Sequence, residues 1–229
     1  MFIDGGSVGV ALTPEEMKSV RHVVVTHAHS DHTASLPLLV AESYTDLDSP
    51  ITVYGLAEVL ASLRAHIFNG EIWPDFSRIP LPGGNQPALL FQELEPEVPR
   101  AIAGYRVTAV PVNHTVPAAG LVIESDTTAL VYTSDTYSTD DIWRVAAKNG
   151  KLKAVFADVS FPNEMEWLAV ASKHLTPALF AIELKKLARP VEAFAVHIKR
   201  SSYDEVARQL AALSHPAVQP VEIGRWYEF

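Results

Sequence analysis

The sequence predicts a layered α/β fold, and three observations carry that reading. Apolar runs of strand length recur along the chain. Segments with the apolar spacing of an amphipathic helix alternate with the later runs. Several runs lead to a polar residue, at His27, His114, Asp135, Asp158 and His197. In a layered α/β fold the strand ends gather along one edge, where binding sites are built. With 229 residues, 48% of them hydrophobic, the chain has material for a sizeable core and fits one large domain or two small ones, of which a single domain over 1–229 is expected.

Taken in order, "FIDGG" (2–6) reads as a short strand entering a glycine turn. "TPEEMKSV" (13–20) reads as a helical turn, with Thr13 as cap, Pro14 at the first helical position and acids behind it. "HVVVTH" (22–27) is a buried strand, "ASLPLLVAESY" (34–44) a helix with Pro37 near its start, "ITVYG" (51–55) a strand and "LAEVLASLRAHIF" (56–68) a helix. Residues 70–100, rich in Pro and Gly, read as loops and short strands. Further strands are expected at 105–114, 119–125, 129–135, 153–161 and 191–198, with "VEIGRWYEF" (221–229) as the last. Helices are expected at 139–150, stopped by Asn149-Gly150, at 176–188 and at 202–213. The strands thus form a meander first and alternate with helices later.

The formal net charge of −9 argues against general affinity for nucleic acid, which needs a broad basic surface. It leaves a small anionic substrate open, because a local metal site reverses the sign of the field. Cysteine is absent, so there are no disulfides, no thiolate nucleophile and no thiolate ligand. "MFIDGGSVG" has neither the basic start nor the apolar stretch of a signal peptide, and no run reaches membrane-spanning length. A soluble, cytoplasmic protein is expected.

The chemistry concentrates in H-x-H-x-D-H: His27, His29, Asp31 and His32. Protonated imidazoles so close would repel one another, and a shared cation removes the conflict. Neutral imidazoles and carboxylates bind Zn²⁺ and similar ions at roughly 2.0–2.2 Å. In an extended loop His27 and His29 point to the same side, so one ion can take both. Asp31 and His32, where the loop turns, can serve a second. His114 fits as a further ligand of the first ion, Asp135 can bridge both, and His197 would complete the second. Two ions about 3.5–4 Å apart would share a hydroxide made nucleophilic at neutral pH. Alone, a histidine such as His114 or His197 is more often a hydrogen-bonded structural residue; the crowded cluster is what makes them ligand candidates. His22, His66 and His215 draw nothing from it and read as surface or packing residues. Nitrogen and oxygen donors suit Zn, with Mn and Fe as alternatives.

"THAHSDH" (26–32), followed in order by His114, "SDT" (134–136) and His197, resembles the metallo-β-lactamase fold superfamily over essentially the whole chain. The resemblance implies a four-layer αββα sandwich with a binuclear site at one edge of its sheets. It makes Asp4 of "IDGG" the family's structural aspartate, although Asp4 in a turn is unremarkable by itself. Members usually carry a strand pair before that turn, and this chain starts almost on it, so those first strands are either missing or outside the sequence. "HIFNGEIWPDF" (66–76), "SFPNEMEWLAVASKHLTPALFAIEL" (160–184) and "VHIK" (196–199) are similar to class II cyclic-nucleotide phosphodiesterases. The order D-x-S-F…H-L-T is also similar to the E-A-T-F…H-S-T order of tRNA 3′-processing endonucleases. Both groups cleave phosphodiesters.

Within that resemblance His174 is a candidate to give a proton to the leaving alkoxide or to bind a phosphate oxygen, with Asp158 accepting its other N–H. The competing reading is that His174 caps the helix begun by Thr176-Pro177. Asp31 is expected to orient the nucleophile as well as to bind metal. Weaker substrate-side candidates are Asn69, for ribose or phosphate; Phe68, Trp73 and Phe76, as a purine stack or as loop packing; Thr176; and Lys199 with Arg200, for phosphate or for solvent. The expected protein is a hydrolase with two divalent ions that opens a 3′,5′-cyclic nucleotide to the 5′-monophosphate. Its partner is a small nucleotide, without membrane or nucleic acid, and a homo-oligomer is compatible with the sequence. The alternatives are a tRNA 3′-processing-like endoribonuclease, a lactone or thioester hydrolase of the same fold, and a metal-retaining nucleotide-binding module without turnover.

Overall fold

The computed structural model describes residues 1–213 and 218–229; His215 lies outside the described residues. The chain divides into two compact units, Met1–Glu95 and Pro96–Phe229, and each is built on its own sheet.

The first unit holds strands β1 (Phe2–Ile3), β2 (His22–Val24), β3 (Ile51–Gly55) and β4 (Leu89–Glu93), paired in that order and all parallel. This corrects the expected opening meander. The cause lies in the connections, since parallel neighbours need crossovers and helices supply them. Helices α1 (Val8–Ala11) and α2 (Pro14–Ser19) link β1 to β2, α3 (Ser30–Thr33) and α4 (Leu36–Ser43) lie between β2 and β3, and α5 (Ala57–His66) between β3 and β4. α2 starts with a reciprocal capping box between Thr13 and Glu16, and Pro37 stands in the first turn of α4. Val23, Val24 and Val25 are buried without alternation, as befits a strand covered on both faces.

The second unit holds seven strands among the described residues. The meander is here: β5 (Arg100–Ile102), β6 (Tyr105–Pro111), β7 (Ala119–Glu124) and β8 (Ala129–Tyr132) pair antiparallel in sequence order. From β8 onward the sheet turns parallel through β9 (Leu152–Asp158), β10 (Glu192–Val196) and β11 (Val218–Pro220). Helices α6 (Asp141–Ala147), α7 (Glu166–Ser172), α8 (Pro177–Leu184) and α9 (Tyr203–Ala211) stand in these later connections. Ile142 and Trp143 of α6, Phe180 and Leu184 of α8, and Val206 and Leu210 of α9 form one apolar core with Val131, Val155 and Ala193 of the strands.

Residues 221–229 are not the final strand that their composition suggests. The ladder stops at Pro220, Gly224 turns the chain at φ 81°, and Tyr227 packs its ring 4.8 Å from that of Phe194. The rings of Tyr227 and Phe229 pack on Phe156 and Phe194 of the sheet instead of extending it. Helices α1, α3 and α7 are additional to those that the sequence predicts. Among the described residues no helix is long and apolar enough to cross a membrane.

Candidate functional site

The candidate residues fall into two sets, one in each unit. In the first unit, the segment after β2 winds into the one-turn helix α3, where a simple loop was expected, and His29 stands at its N-cap. His27 is fully buried, His32 nearly so, His29 half-buried, and Asp31 exposed. The glycine turn of "IDGG" packs beneath α3: a Cβ on Gly6 would lie 1.6 Å from the Asp31 carbonyl oxygen, so no larger residue fits. Gly5 N–H donates to the His32 carbonyl at 2.7 Å.

Asp4 organises this turn from a left-handed backbone conformation, φ 61°. Its Oδ1 accepts from Thr26 N at 2.8 Å, and its Oδ2 lies 2.7 Å from His32 Nδ1. Thr26 Oγ1 lies 3.0 Å from each Asp4 oxygen and 3.1 Å from His27 Nδ1. With Nδ1 so engaged, His27 directs Nε2 at His29 Nδ1, 3.1 Å away.

In the second unit, Asp135 follows Ser134 (φ 57°), His197 has φ 60°, and Lys173 at the end of α7 has φ 56°. Non-glycine residues seldom occupy this region, and such strain gathers where side chains must be aimed. Asp135, Asp158, His174 and His197 each bring a ligand atom within 4.8 Å of one another. Asp135 Oδ2 stands 3.4 Å from His197 Nε2. Asp158, fully buried at the end of β9, accepts from His174 Nδ1 at 2.6 Å and Thr136 N at 3.1 Å on Oδ2, and from Ser160 Oγ at 2.6 Å on Oδ1. Ser160 Oγ is also 2.9 Å from His197 Nδ1. The rings of His174 and His197 stack with centroids 5.3 Å apart. His114 donates Nδ1–H to the Lys173 carbonyl at 3.2 Å, and Lys173 Nζ donates back to the His114 carbonyl at 2.9 Å. Burial pulls the His174 pKa down, but the hydrogen bond and charge of Asp158, helped by the charge of Asp135, outweigh it and hold the ring above the ordinary imidazole value.

Other candidates stand in structural positions. Asn69 folds back on its own loop, accepting from Glu71 N and Ile72 N and donating to the Ala65 carbonyl. Phe68 and Phe76 are buried, packed against Phe91 and Tyr44 respectively, which corrects the purine-stack reading of these two. Trp73 is half-buried in the same loop, and its carbonyl accepts from Gly70 N. Thr176 is fully buried and caps α8 through Leu179 N; the cap proposed for His174 is therefore this threonine. Lys199 Nζ reaches to 3.5 Å from His197 Nε2, whereas Arg200 is exposed. Thr26, Ser160 and Lys173 were given no role by the sequence, although Ser160 lies inside the D-x-S-F string.

The donors present fit divalent cations. Two ligands at about 2.0–2.1 Å from one tetrahedral ion lie about 3.3 Å apart. The His27 Nε2–His29 Nδ1 separation of 3.1 Å and the Asp135 Oδ2–His197 Nε2 separation of 3.4 Å both match it. Each pair is spaced like two ligands of one ion.

The family described as "Beta-lactamase superfamily domain" matches residues 8–198. A Yersinia pestis protein described as a probable 3′,5′-cyclic-nucleotide phosphodiesterase is 28% identical over 184 residues, 74% of this chain and 52% of that protein. An Aliivibrio fischeri 3′,5′-cyclic-nucleotide phosphodiesterase is 30% identical over 184 residues, 73% of this chain and 53% of that protein. The chain thus spans about half the length of these curated relatives. Among solved structures, unliganded yeast PDE1 matches with a TM-score of 0.78 at 19% identity, covering 90% of this chain and 67% of that one. At that identity the likeness is one of fold.

Proposed function

The chain belongs to the beta-lactamase superfamily domain family, and from that premise we propose that its histidines and carboxylates serve a binuclear metal-dependent phosphodiesterase that opens a 3′,5′-cyclic nucleotide to its 5′-monophosphate. Residues 1–229 work in this reading as one hydrolase domain. The residues that would hold the ions are His27, His29, Asp31 and His32 in the first unit and His114, Asp135 and His197 in the second. Zn suits this donor set, with Mn or Fe as alternatives. When bound, the ions supply a nucleophile from water at neutral pH and neutralise charge on the phosphoryl oxygens.

The observation that carries the reading is the Asp158–His174 pair. A fully buried carboxylate grips Nδ1 of the imidazole at 2.6 Å, in the same cluster as Asp135 and His197. With Nδ1–H committed to Asp158 and its pKa held above the ordinary imidazole value, His174 can carry a second proton on Nε2. It gives that proton to the departing 3′-oxygen. Asp158 fixes the ring and offsets the charge of the imidazolium while it lasts. Asp31, exposed on α3, orients the nucleophile. Lys199 steadies a phosphate oxygen. The names carried by the two bacterial relatives support the cyclic nucleotide as substrate, and the net charge of −9 disfavours a polynucleotide.

The test is an assay of the metal-loaded protein against cyclic AMP, a chromogenic phosphodiester, a lactone and a precursor tRNA. Release of 5′-AMP as the preferred reaction is the expected result. Turnover of the lactone or the RNA with none of either small phosphodiester overturns the reading.

A further inference from the structure

We propose that Thr26 and Ser160 are positioning residues for metal binding: each hydroxyl links a carboxylate to a histidine and thereby fixes Nε2, of His27 and of His197, as the ligating nitrogen. The inference rests on the metal reading above but not on any substrate.

A serine or threonine hydroxyl has one hydrogen to donate, and an ionised carboxylate has none. Ser160 Oγ is 2.6 Å from Asp158 Oδ1, and that carboxylate already takes N–H donors from His174 and Thr136 on its other oxygen. The short, charge-assisted contact claims the Ser160 hydrogen, in preference to the His197 carbonyl at 3.3 Å. Towards His197 Nδ1, at 2.9 Å, the hydroxyl oxygen can then only accept. His197 therefore carries its hydrogen on Nδ1 and, as a neutral ring, its lone pair on Nε2. That atom faces Asp135 Oδ2 at 3.4 Å and the Lys199 ammonium, a pure donor, at 3.5 Å.

The first unit repeats the device. Thr26 Oγ1 is 3.0 Å from both oxygens of Asp4 and 3.1 Å from His27 Nδ1. Its hydrogen goes to the carboxylate, so His27 holds its own hydrogen on Nδ1 and presents the Nε2 lone pair towards His29. Thr26 and Ser160 are both fully buried, so solvent does not substitute for either hydroxyl. Outer partners of this kind typically govern metal affinity by about 10–100-fold.

The experiment measures zinc affinity of the metal-free full chain by competition with a chromophoric chelator. Ser160→Ala and Thr26→Ala should each weaken zinc binding about 10–100-fold, and Thr26→Ser should restore affinity to within a few-fold. Ser160→Ala should add nothing to His197→Ala but multiply with His27→Ala; Thr26→Ala should show the mirror pattern. Undiminished affinity in either alanine variant, or losses that multiply within a hydroxyl–histidine pair, overturns the inference. Nitrogen-15 NMR of the zinc-loaded wild type needs no variant to fold: hydrogen on Nδ1 of His27 and His197 supports the inference, and hydrogen on Nε2 overturns it. A wild type that takes up no zinc overturns the metal reading and this inference with it. Zinc uptake that is lost in His197→Ala but intact in Ser160→Ala overturns this inference alone.

Discussion

Asp4 and His32 are joined at 2.7 Å, carboxylate oxygen to Nδ1, although 28 residues separate them in sequence. The same carboxylate receives Thr26 N, so a single residue of the glycine turn sets both ends of the H-x-H-x-D-H segment. Asp4→Ala should lower zinc affinity by about 10–100-fold and stability by about 1–3 kcal/mol, the cost of leaving buried donors unmatched. Chelator competition and urea denaturation read the two effects. Loss of stability with unchanged zinc affinity would make Asp4 a folding residue only.

Gly6 is the second support of that segment. The 1.6 Å approach of a Cβ to the Asp31 carbonyl oxygen is to backbone, so no side-chain rotation relieves it. Gly6→Ala should cost about 3 kcal/mol or more and displace α3. A urea midpoint within error of the wild type would show that the turn can shift freely.

Much of this architecture could be read from residues alone, and the failures have local causes. The runs at 22–25 and 51–55 are apolar on both faces, which only a covered strand requires, and three imidazoles within six residues require a common partner. The helices expected at 13–20, 34–44 and 56–68 already supply the crossovers that parallel pairing of β1 to β4 requires, so that pairing was open to the sequence. Residues 221–229 alternate like a strand, yet Gly224 and the packing of Tyr227 on Phe194 divert them. Phe68 and Asn69 looked like substrate contacts because an aromatic or amide side chain has the same letter in a core, a loop or a pocket. Ser160 and Thr26 gave no signal, since a hydroxyl becomes informative only when its distant partners, His197 and Asp4, are in place.

Glu183 is a buried carboxylate on α8 that holds the segment following Asp135. It accepts from Ser138 Oγ at 2.7 Å, Thr139 N at 3.2 Å and Trp143 Nε1 at 2.6 Å, and pairs with Lys186 at 2.8 Å. Glu183→Ala should destabilise by about 3–5 kcal/mol, because it strands several donors at once. Chemical denaturation measures this, and a loss below about 1 kcal/mol would mean that water replaces the carboxylate.

Stability should carry a specific dependence on acid. Glu124 faces Arg106 across β6 and β7 in a two-pronged pair, at 2.9 and 2.6 Å. The Arg106 hydrogen bond holds the Glu124 pKa below the usual carboxylate value, against the opposing effect of burial. A depressed carboxylate contributes stability that is complete above its unfolded pKa, about 4.3, and lost as pH falls through the folded one. Arg106→Ala should therefore lower the urea midpoint at pH 7, modestly because the arginine is exposed, and the gap from wild type should be smaller at a pH below the unfolded carboxylate value. Urea midpoints at the two pH values test this; a gap that widens in acid contradicts it.

The most direct test of the central claim pairs turnover with metal content in one variant. His174→Ala, loaded with zinc or manganese and given cyclic AMP, should retain the wild-type metal content while 5′-AMP formation falls by about 10²–10⁴-fold. Metal and turnover lost together, or turnover unchanged with His174 gone, would contradict the account.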